Sequence, residues 1–428
     1  MNRFIKTTLF IFICGTALVS AQNGKDREAL PRFAVISDTH FEYTGWGEGA
    51  KVKVPRALKH LLSKTPRVDA VFVVGDLTNG GKAEEYEQLV STFGDRSNVP
   101  EGIDVYFTLG YNHDVHGDEN CLKNYQTIVG QPLYHYVDIK GYPFIAISEW
   151  GSGDNSIPAR NGEARQFLSE KLADASQRYP GKPVFVFMHM PPLNTCYGSS
   201  QSNGWGTDVF LDILNRYPQA IVFSGHSHSP LSDPRSIHQG KFTAINDGST
   251  VYCEIESGVP DITTLPENFK YVTEGVIVNV RANDDVEIER WDTYRNEEIR
   301  PRWLIEAPHD GSRFTYKNRN GLPAPAFARS IRPTVEHVAV DSISVTFRQA
   351  TDNEVVHHYI VEIRDDRQTV ASYCVFSQYY LNSRAPKQLT AGFFGLPAGK
   401  KLTAQVVAVD SYNNRSTPVV SKVFKAGK

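Results

Sequence analysis

The chain of 428 residues contains little cysteine, no block of basic residues and no long hydrophobic run beyond its N-terminal segment. Its five cysteines lie far apart without a CxxC pair, so their spacing identifies neither a zinc knot nor a disulfide pairing. A bridge formed in an oxidising compartment and partly buried free thiols are both open alternatives. The formal net charge is −3, which together with the lack of a basic block argues against a nucleic-acid partner.

The first 21 residues differ from the rest of the chain. Arg3 and Lys6 form a positive region, an apolar stretch begins at Leu9, and Val19-Ser20-Ala21 has the small-residue pattern of a signal-peptidase site. This predicts a cleaved leader at residues 1–21 and a periplasmic or secreted protein. The alternative is an N-terminal anchor helix that stays attached. Without the leader, no integral membrane segment is expected.

From residue 32 to about 246, short apolar runs alternate with amphipathic segments. The runs are rich in β-branched and aromatic residues, which is typical of strands buried on both faces. We expect one of the intervening helices to begin at Pro55, because proline suits the first turn of a helix. Strands alternating with helices predict an α/β fold in which polar residues after the strands converge on one crevice. The predicted strands are 33–36, 70–74, 105–107, 144–147, 184–187 and 220–223.

The sequence changes character near residue 300. Residues 301–333 are rich in proline and glycine, which is typical of a connecting segment. Beyond them apolar and polar residues alternate, as in Ile343-Ser344-Val345, and no helical pattern occurs between about 335 and 428. We therefore expect a domain at 22–300, a linker at 301–333 and a small all-β sandwich at 334–428.

Five polar clusters follow predicted strands of the α/β region. Together they offer carboxylate oxygens, imidazole nitrogens and an amide oxygen, which suit Zn²⁺, Mn²⁺, Fe or Co²⁺. Two side chains separated by one residue can face the same side if the backbone stays extended. A carboxylate such as that of Asp76 can bridge two cations. The clusters are Ser37-Asp38-Thr39-His40, Gly75-Asp76-Leu77-Thr78-Asn79, Gly110-Tyr111-Asn112-His113-Asp114, Met188-His189-Met190-Pro191-Pro192 and Ser224-Gly225-His226-Ser227-His228.

In their order and spacing these clusters resemble the calcineurin-like metallophosphoesterase superfamily, across residues 32 to 250. The resemblance implies a four-layer α-β-β-α sandwich with two divalent metal ions (Mn, Fe or Zn) at the strand ends. It implies that one metal is held by Asp38, His40, Asp76 and His228 and that Asp76 bridges to a second, completed by Asn112, His189 and His226. It also implies that His113 is the catalytic histidine and that Asp114 orients it.

The sequence departs from the family pattern at Tyr111, which stands where the family has glycine before the ligand asparagine. Gly110 lies one position earlier. A glycine there lets the backbone pass close to the metals. Tyr111 either shifts the loop and places its ring in the cleft, or turns away as a tolerated substitution.

The resemblance implies hydrolysis of a small phosphate-ester substrate. Two cations about 3.5–4 Å apart can clamp a phosphoryl group and lower the pKa of bound water towards ~7, which makes a metal-bridging hydroxide available, with His113 as acid. The second, fourth and fifth clusters look closer to the cyclic-nucleotide phosphodiesterase-like branch, which favours a nucleotide-like diester. The alternatives are a phosphomonoesterase of the same fold and a non-catalytic interaction protein on this scaffold.

The C-terminal region resembles a fibronectin type III-like sandwich around Tyr359-Ile360-Val361-Glu362 and Ala408-Val409-Asp410. A fold of this kind does not specify a function. It can bind polysaccharide, pack against the catalytic domain or mediate dimer contacts. The sequence indicates no oligomeric state.

Overall fold

A computed structural model describes residues 30–42, 47–200, 204–255, 265–317 and 322–426. The predicted leader at residues 1–21 lies outside these ranges. Within them, no helix combines the length and the apolar character that crossing a membrane requires. Cys121, Cys196 and Cys253 carry free thiols, and the last two are buried.

Strands and helices alternate up to residue 246, and three further strands follow. The strands are β1 (Arg32–Ile36), β2 (Ala70–Val74), β3 (Asp104–Thr108), β4 (Tyr134–Ile139), β5 (Tyr142–Ile147), β6 (Val184–Phe187), β7 (Ala220–Ser224), β8 (Ile237–Gln239), β9 (Thr243–Asn246), β10 (Glu274–Val280), β11 (Val286–Asp292) and β12 (Glu297–Ile305). The α-helices are α1 (Ala50–Leu62), α2 (Ala83–Gly94), α3 (Glu119–Asn124), α4 (Pro158–Arg178) and α5 (Leu211–Leu214).

These strands form two six-stranded sheets, ordered β12-β11-β10-β1-β2-β3 and β4-β5-β6-β7-β9-β8. In the first sheet β1, β2 and β3 are parallel, and in the second β5, β6, β7 and β9 are parallel. The helices cover the outer faces of the sheets, since the core residues of α1, α2 and α4 cluster with outward-facing strand residues such as Ala34 and Ile36. The predicted α/β fold with a four-layer α-β-β-α arrangement is confirmed.

The two sheets pack face to face through aromatic side chains. Phe33 and Val35 of β1 point into this layer, whereas Ala34 and Ile36 face the helices, so the strand is buried on both faces as its apolar sequence predicts. The rings of Phe72 and Phe187 stack across the layer with centroids 3.9 Å apart. Burial of each such phenylalanine contributes about 1.5–3 kcal/mol to the stability that holds the strand ends together.

Helix α1 begins earlier than the sequence predicts. It starts at Ala50, and Pro55 lies inside it instead of opening it. Proline inside a helix removes one backbone hydrogen bond. The apolar face of α1 offsets this cost, because Val54, Leu58 and Leu61 are buried against the first sheet.

The C-terminal region forms the predicted small β-sandwich, but it also contains a short 3-10 helix at Tyr379–Arg384, which the sequence did not predict. Its sheets are β13-β14-β17 and β16-β15-β18-β19, with β20 paired to β18. Tyr359 and Val361 belong to the apolar core that both sheets share. Strand β12 of the preceding domain continues past residue 300 to Ile305. The described residues between Ile305 and Thr334 contain no further helix or strand. The strands are β13 (Thr334–Ala339), β14 (Ser342–Arg348), β15 (Val356–Arg364), β16 (Thr369–Phe376), β17 (Gln388–Phe393), β18 (Lys401–Asp410), β19 (Val419–Val420) and β20 (Phe424–Lys425).

Candidate metal centre

The seven side chains predicted to bind metal follow the carboxyl ends of five parallel strands. Strands β1, β2 and β3 lead to Asp38 and His40, to Asp76 and to Asn112, while β6 and β7 lead to His189 and to His226 and His228. Two groups of donor atoms form there, with all atoms of a group within 4.8 Å of one another. One group is Asp38, His40, Asp76 and His228, and the other is Asp76, His189 and His226.

The backbone at this edge is strained. Five of the seven residues have left-handed φ angles, which cost on the order of 1–3 kcal/mol each outside glycine. Such a concentration of strain at one place is typical of a functional site, where the chain accepts the cost to aim its side chains. The angles are 52° at Asp38, 43° at His40, 47° at Asp76, 63° at His226 and 49° at His228.

The first group is compact and lies almost entirely out of solvent. His228 Nε2 is 3.1 Å from Asp38 Oδ1 and 3.2 Å from His40 Nε2. His40 Nε2 is in turn 3.7 Å from Asp76 Oδ2. Imidazole nitrogens and carboxylate oxygens this close together, and buried, are suited to sharing a cation.

The second group uses the other oxygen of the same carboxylate. His189 Nε2 is 3.1 Å from Asp76 Oδ1. The amide nitrogen of Asn112 donates to Asp76 Oδ2 over 3.2 Å. Asn112 Oδ1 and His226 Nδ1 are buried and find no hydrogen-bond partner among the described residues. Because buried acceptors are normally satisfied, this donor set fits a bound divalent metal.

The electrostatics of the two groups also favour a cation. Burial lowers the pKa of His40 to about 3 and that of His226 to about 4, so both imidazoles are neutral at pH 7. Burial acts to raise the pKa of Asp76, but His189 and His40 hold it well below its ordinary value. Neutral imidazoles and ionised carboxylates are the protonation states in which such residues bind metals. Burial acts to lower the pKa of His189 and of His228, but Asp76 and Asp38 hold both pKa values above the ordinary range, so a metal bound there would replace a proton on each ring.

Backbone carbonyls orient two of the histidines. His189 Nδ1 lies 2.9 Å from Val74 O, and His228 Nδ1 lies 3.2 Å from Tyr252 O. If each Nδ1 carries the proton, Nε2 is left as the acceptor that faces the site. These contacts escaped the sequence prediction because every residue type has a backbone carbonyl.

Two buried acids beside the site received no role from the sequence. Ser37 donates to Asp247 Oδ1 over 2.5 Å, next to Asp38, and burial raises the pKa of Asp247 well above its ordinary value. The backbone nitrogen of Met190 donates to Glu149, whose pKa burial raises to about 8. Both acids support the ligand loops, and only their position after β9 and β5 signals this in the sequence.

The third cluster forms a π-helical turn at Tyr111–Val115, closed by a bond from His116 N to Tyr111 O of 2.9 Å. A π-turn holds one residue more than an α-turn, which makes room for Tyr111 before the ligand asparagine. The close approach to the metal ligands is made instead by Gly110. A β-carbon there would lie 2.3 Å from Asp76 Oδ1.

His113 and Asp114 have different surroundings. The His113 side chain is 34% exposed, with Nε2 4.0 Å from Asp76 Oδ2 and Nδ1 3.1 Å from Asn79 O. Asp114 is fully buried and accepts hydrogen bonds from the backbone nitrogens of Leu77, Thr78 and Gly110. The contact that orients His113 is therefore made by Asn79, while Asp114 holds the second and third clusters together.

Aromatic side chains lie near the ligand histidines His226 and His228. The Tyr252 ring is 4.3 Å from that of His228, and the Trp205 ring is 6.5 Å from that of His226. Trp150 is fully buried and donates to Tyr134 OH over 3.0 Å, so it is a packing residue. Tyr197 is also buried.

Comparison with known proteins shows what this chain is similar to. Residues 31–230 match the family model for calcineurin-like phosphoesterases. A probable glycerophosphodiester phosphodiesterase of Arcobacter nitrofigilis is 26% identical over 209 residues, covering 45% of this chain and 70% of that protein. A probable cyclic nucleotide phosphodiesterase of Rhodopseudomonas palustris is 24% identical over 212 residues, covering 47% and 73%. A solved purple acid phosphatase from yellow lupin gives a TM-score of 0.47 at 13% identity, over 65% of this chain and 54% of that one.

Residues 31–230, with this donor set at their strand ends, match the calcineurin-like phosphoesterases, a family of enzymes that hydrolyse phosphate esters.

Proposed function

We propose that this chain is a two-metal phosphodiesterase that acts on small diesters, including nucleotide-like ones. The observation that carries the proposal is the position of Asp76 between the two donor groups. Its Oδ1 lies 3.1 Å from His189 Nε2 and its Oδ2 lies 3.7 Å from His40 Nε2. A carboxylate that shares its two oxygens in this way is suited to bridge two cations, which we expect to be Mn, Fe or Zn.

The proposed ligands divide along the two donor groups. Asp38, His40 and His228 would hold one ion with Asp76, and Asn112, His189 and His226 would complete the other. When bound, divalent ions of this kind polarise phosphoryl oxygens and lower the pKa of coordinated water. The left-handed backbone at the ligands fixes their direction in advance, so little reorganisation is needed during the reaction.

His113 is the proposed proton donor. Its Nδ1 is placed to donate to Asn79 O, and its Nε2 lies on the side of Asp76, where it can present a proton to a bound ester. Such a proton can pass to the oxygen of a departing alcohol, which makes the alcohol a better leaving group. Its partial exposure leaves space for a substrate between the ring and solvent. Asp114 is proposed to act indirectly, by fixing the loops that carry Asp76 and Asn112.

The preference for a diester is supported by the relatives. The two named above are described as probable diesterases, for glycerophosphodiesters and for cyclic nucleotides. Tyr252 and Trp205 place aromatic surface near His228 and His226, where the second ester group of a substrate can pack.

Two chromogenic esters test the proposal. The metal-stripped chain is reconstituted separately with Mn²⁺, Zn²⁺ and Fe²⁺, and hydrolysis of bis-p-nitrophenyl phosphate and p-nitrophenyl phosphate is measured. We expect kcat/KM for the diester to exceed that for the monoester by at least about tenfold with the best metal. A ratio of one or below contradicts the diesterase proposal, and no turnover of either ester favours a non-catalytic scaffold.

We also propose that the protein works outside the cytoplasm, after removal of residues 1–21. Support comes from the charge and small-residue pattern of that segment. N-terminal sequencing of the protein exported by its host is expected to begin at Gln22. An intact N-terminus on a membrane-bound protein would support the anchor alternative.

A further inference from the structure

Two segments of the phosphoesterase domain hold the loop that carries the last two ligand histidines. The first of them contains Tyr197 and Gly198. A β-carbon on Gly198 would lie only 2.3 Å from Cβ of Ser227, which stands between His226 and His228. The Ser227 hydroxyl also donates to Tyr197 O over 3.3 Å. The first segment is thus in direct contact with the ligand loop.

The second segment runs along residues 249–255 on His228. Tyr252 O lies 3.2 Å from His228 Nδ1, and the two rings are 4.3 Å apart. The backbone nitrogen of Glu254 donates to His228 O over 2.9 Å. The direction of His228 Nε2, which faces Asp38, depends on where this segment lies.

Both segments pack on one piece of the C-terminal β-sandwich. Tyr197 comes from the first segment and Cys253 and Ile255 from the second, and all three belong to one buried cluster with residues at the end of β16 and directly after it. We call this group the interdomain cluster. Its members are Tyr197, Cys253, Ile255, Val272, Phe376, Tyr379, Tyr380 and Leu381.

Hydrogen bonds also join the two domains at the interdomain cluster. The Tyr380 hydroxyl donates to Glu267 O over 2.9 Å, and the ring of Tyr380 is fully buried. The Tyr197 hydroxyl is 3.3 Å from His357 Nε2 of the sandwich. The Tyr379 hydroxyl donates over 3.0 Å to the buried carboxylate of Asp233, which also pairs with Arg235. Buried polar groups are normally hydrogen-bonded, and these bonds let the tyrosines be buried between the two domains.

We propose that the C-terminal sandwich is part of the metal centre's architecture, and that Tyr380 is a positioning residue that holds the two segments against the loop of His226 and His228. The proposal rests on the metal-binding role assigned above to that loop. Tyr380 touches neither metal ligands nor substrate space in this account. It acts through Cys253 and Ile255, which continue directly from Tyr252, the hydrogen-bond partner of His228.

The expected size of the effect follows from outer-sphere contacts in metalloproteins. Loss of a partner that orients a ligand histidine typically lowers metal affinity about 10–100-fold. Removing the Tyr380 ring opens a cavity under the second segment, which lets Tyr252 O move away from His228 Nδ1. The ion held by His228 and Asp38 should be weakened more than the ion held by His189.

The test compares three variants of the full chain by calorimetric titration of metal-free protein with Mn²⁺. Tyr380→Ala removes the buried ring, while Tyr380→Phe keeps the ring and loses only the bond to Glu267 O. Phe347→Ala is the matched control, because Phe347 is buried in the sandwich's own core, away from the interdomain cluster. Folding is checked by circular dichroism, and kcat and KM for bis-p-nitrophenyl phosphate are measured in parallel.

We expect Tyr380→Ala to weaken one of the two Mn²⁺ sites at least about tenfold, with Tyr380→Phe and Phe347→Ala within about twofold of wild type. At saturating Mn²⁺ the kcat of Tyr380→Ala should recover most of its value. If Tyr380→Ala does not fold, Leu381→Ala replaces it in the same cluster. Wild-type Mn²⁺ affinity in the folded cluster variant, or an equal loss in Phe347→Ala, overturns the proposal.

The two proposals fail in different ways. Selective weakening of Mn²⁺ binding in Tyr380→Ala, with no ester hydrolysed by the wild type, supports the positioning role and contradicts the phosphodiesterase. Normal wild-type hydrolysis with unchanged Mn²⁺ binding in Tyr380→Ala contradicts only the positioning role.

Discussion

At the scale of single residues, the site depends on side chains that are buried in unfavourable backbone conformations. Asp38, Asp76 and His228 have left-handed φ angles, and none of them is a glycine. The three side chains are also almost completely buried. Backbone strain and buried charge do not stabilise a fold by themselves. A bound ligand that pairs with these charges would explain why the chain keeps both.

Residue types could be predicted from the sequence, but their backbone partners could not. The order of the five clusters indicated all seven candidate ligands, and the structure brings those seven together. Asn79 O beside His113 and Tyr252 O beside His228 are carbonyl contacts, which leave no trace in residue identity. The raised pKa of Glu149 likewise depends on burial, which a local sequence pattern does not reveal.

The role of His113 gives a prediction at this scale. His113→Ala removes the proposed proton donor while leaving all seven ligands, so we expect turnover of the diester to fall about 10²–10⁴-fold with two metals still bound. Activity and metal content are measured on the same preparation. His116→Ala is the control, since His116 is exposed in the same loop and its ring lies 5.9 Å from that of His113. Equal turnover in His113→Ala and His116→Ala would refute the role.

At the scale of elements, the apolar runs predicted the strands that carry the ligands. Strands β1, β2, β6 and β7 are buried along their whole length, and this is why their sequences are continuously apolar. The antiparallel return of β10 beside β1 was not predicted. It pairs Val35 with Val276, and no local pattern encodes a contact between positions so distant in the chain.

The loop after β3 gives a second prediction. Gly110→Ala would place a β-carbon 2.3 Å from Asp76 Oδ1 and 2.7 Å from a ring carbon of His189, so the loop or the bridging carboxylate must move. We expect a loss of metal affinity of at least about tenfold, because two ligands are displaced. Gly94→Ala is the control, since a β-carbon there meets nothing within 4 Å. The Mn²⁺ affinity of both variants is measured by titration. Identical affinities for Gly110→Ala and Gly94→Ala would contradict the close approach assigned to Gly110.

At the scale of the whole molecule, the two domains pack against each other through a buried cluster. The sandwich has its own apolar core, and the interdomain cluster joins it to segments beside the metal ligands. The sequence indicated a β-sandwich and left packing, carbohydrate binding and dimer contacts open. The structure shows that the sandwich packs against the phosphoesterase domain, because Tyr380 and Tyr379 are buried against that domain.

The pH dependence of global stability gives a third prediction, at Glu274. Burial raises its pKa to about 8 from an ordinary value of 4.5, against the weaker opposing effect of its hydrogen bond from Leu231 N. Between these values the folded chain keeps a proton that the unfolded chain releases, so stability is lost as pH rises through this window. Glu274→Gln removes this loss. We expect the free energy of unfolding of Glu274→Gln, relative to that of wild type, to rise by at most about 1.4 kcal/mol per pH unit from pH 5 to 8.

Urea unfolding at pH 5, 6.5 and 8 measures this difference. Glu101→Gln, at an exposed position, is the control and should follow the wild-type profile. Profiles for Glu274→Gln and wild type that stay parallel across this range would show that Glu274 ionises normally in the folded chain.

The central claim, that seven side chains build one two-metal site around Asp76, is tested most directly by counting metals. The measurement is elemental analysis of metal-free wild type and Asp76→Asn after reconstitution with Mn²⁺ and removal of unbound ions. The account predicts two ions per wild-type chain, and fewer than one in Asp76→Asn because both donor groups lose their shared carboxylate. One ion or none in the wild type, or two in Asp76→Asn, would contradict it.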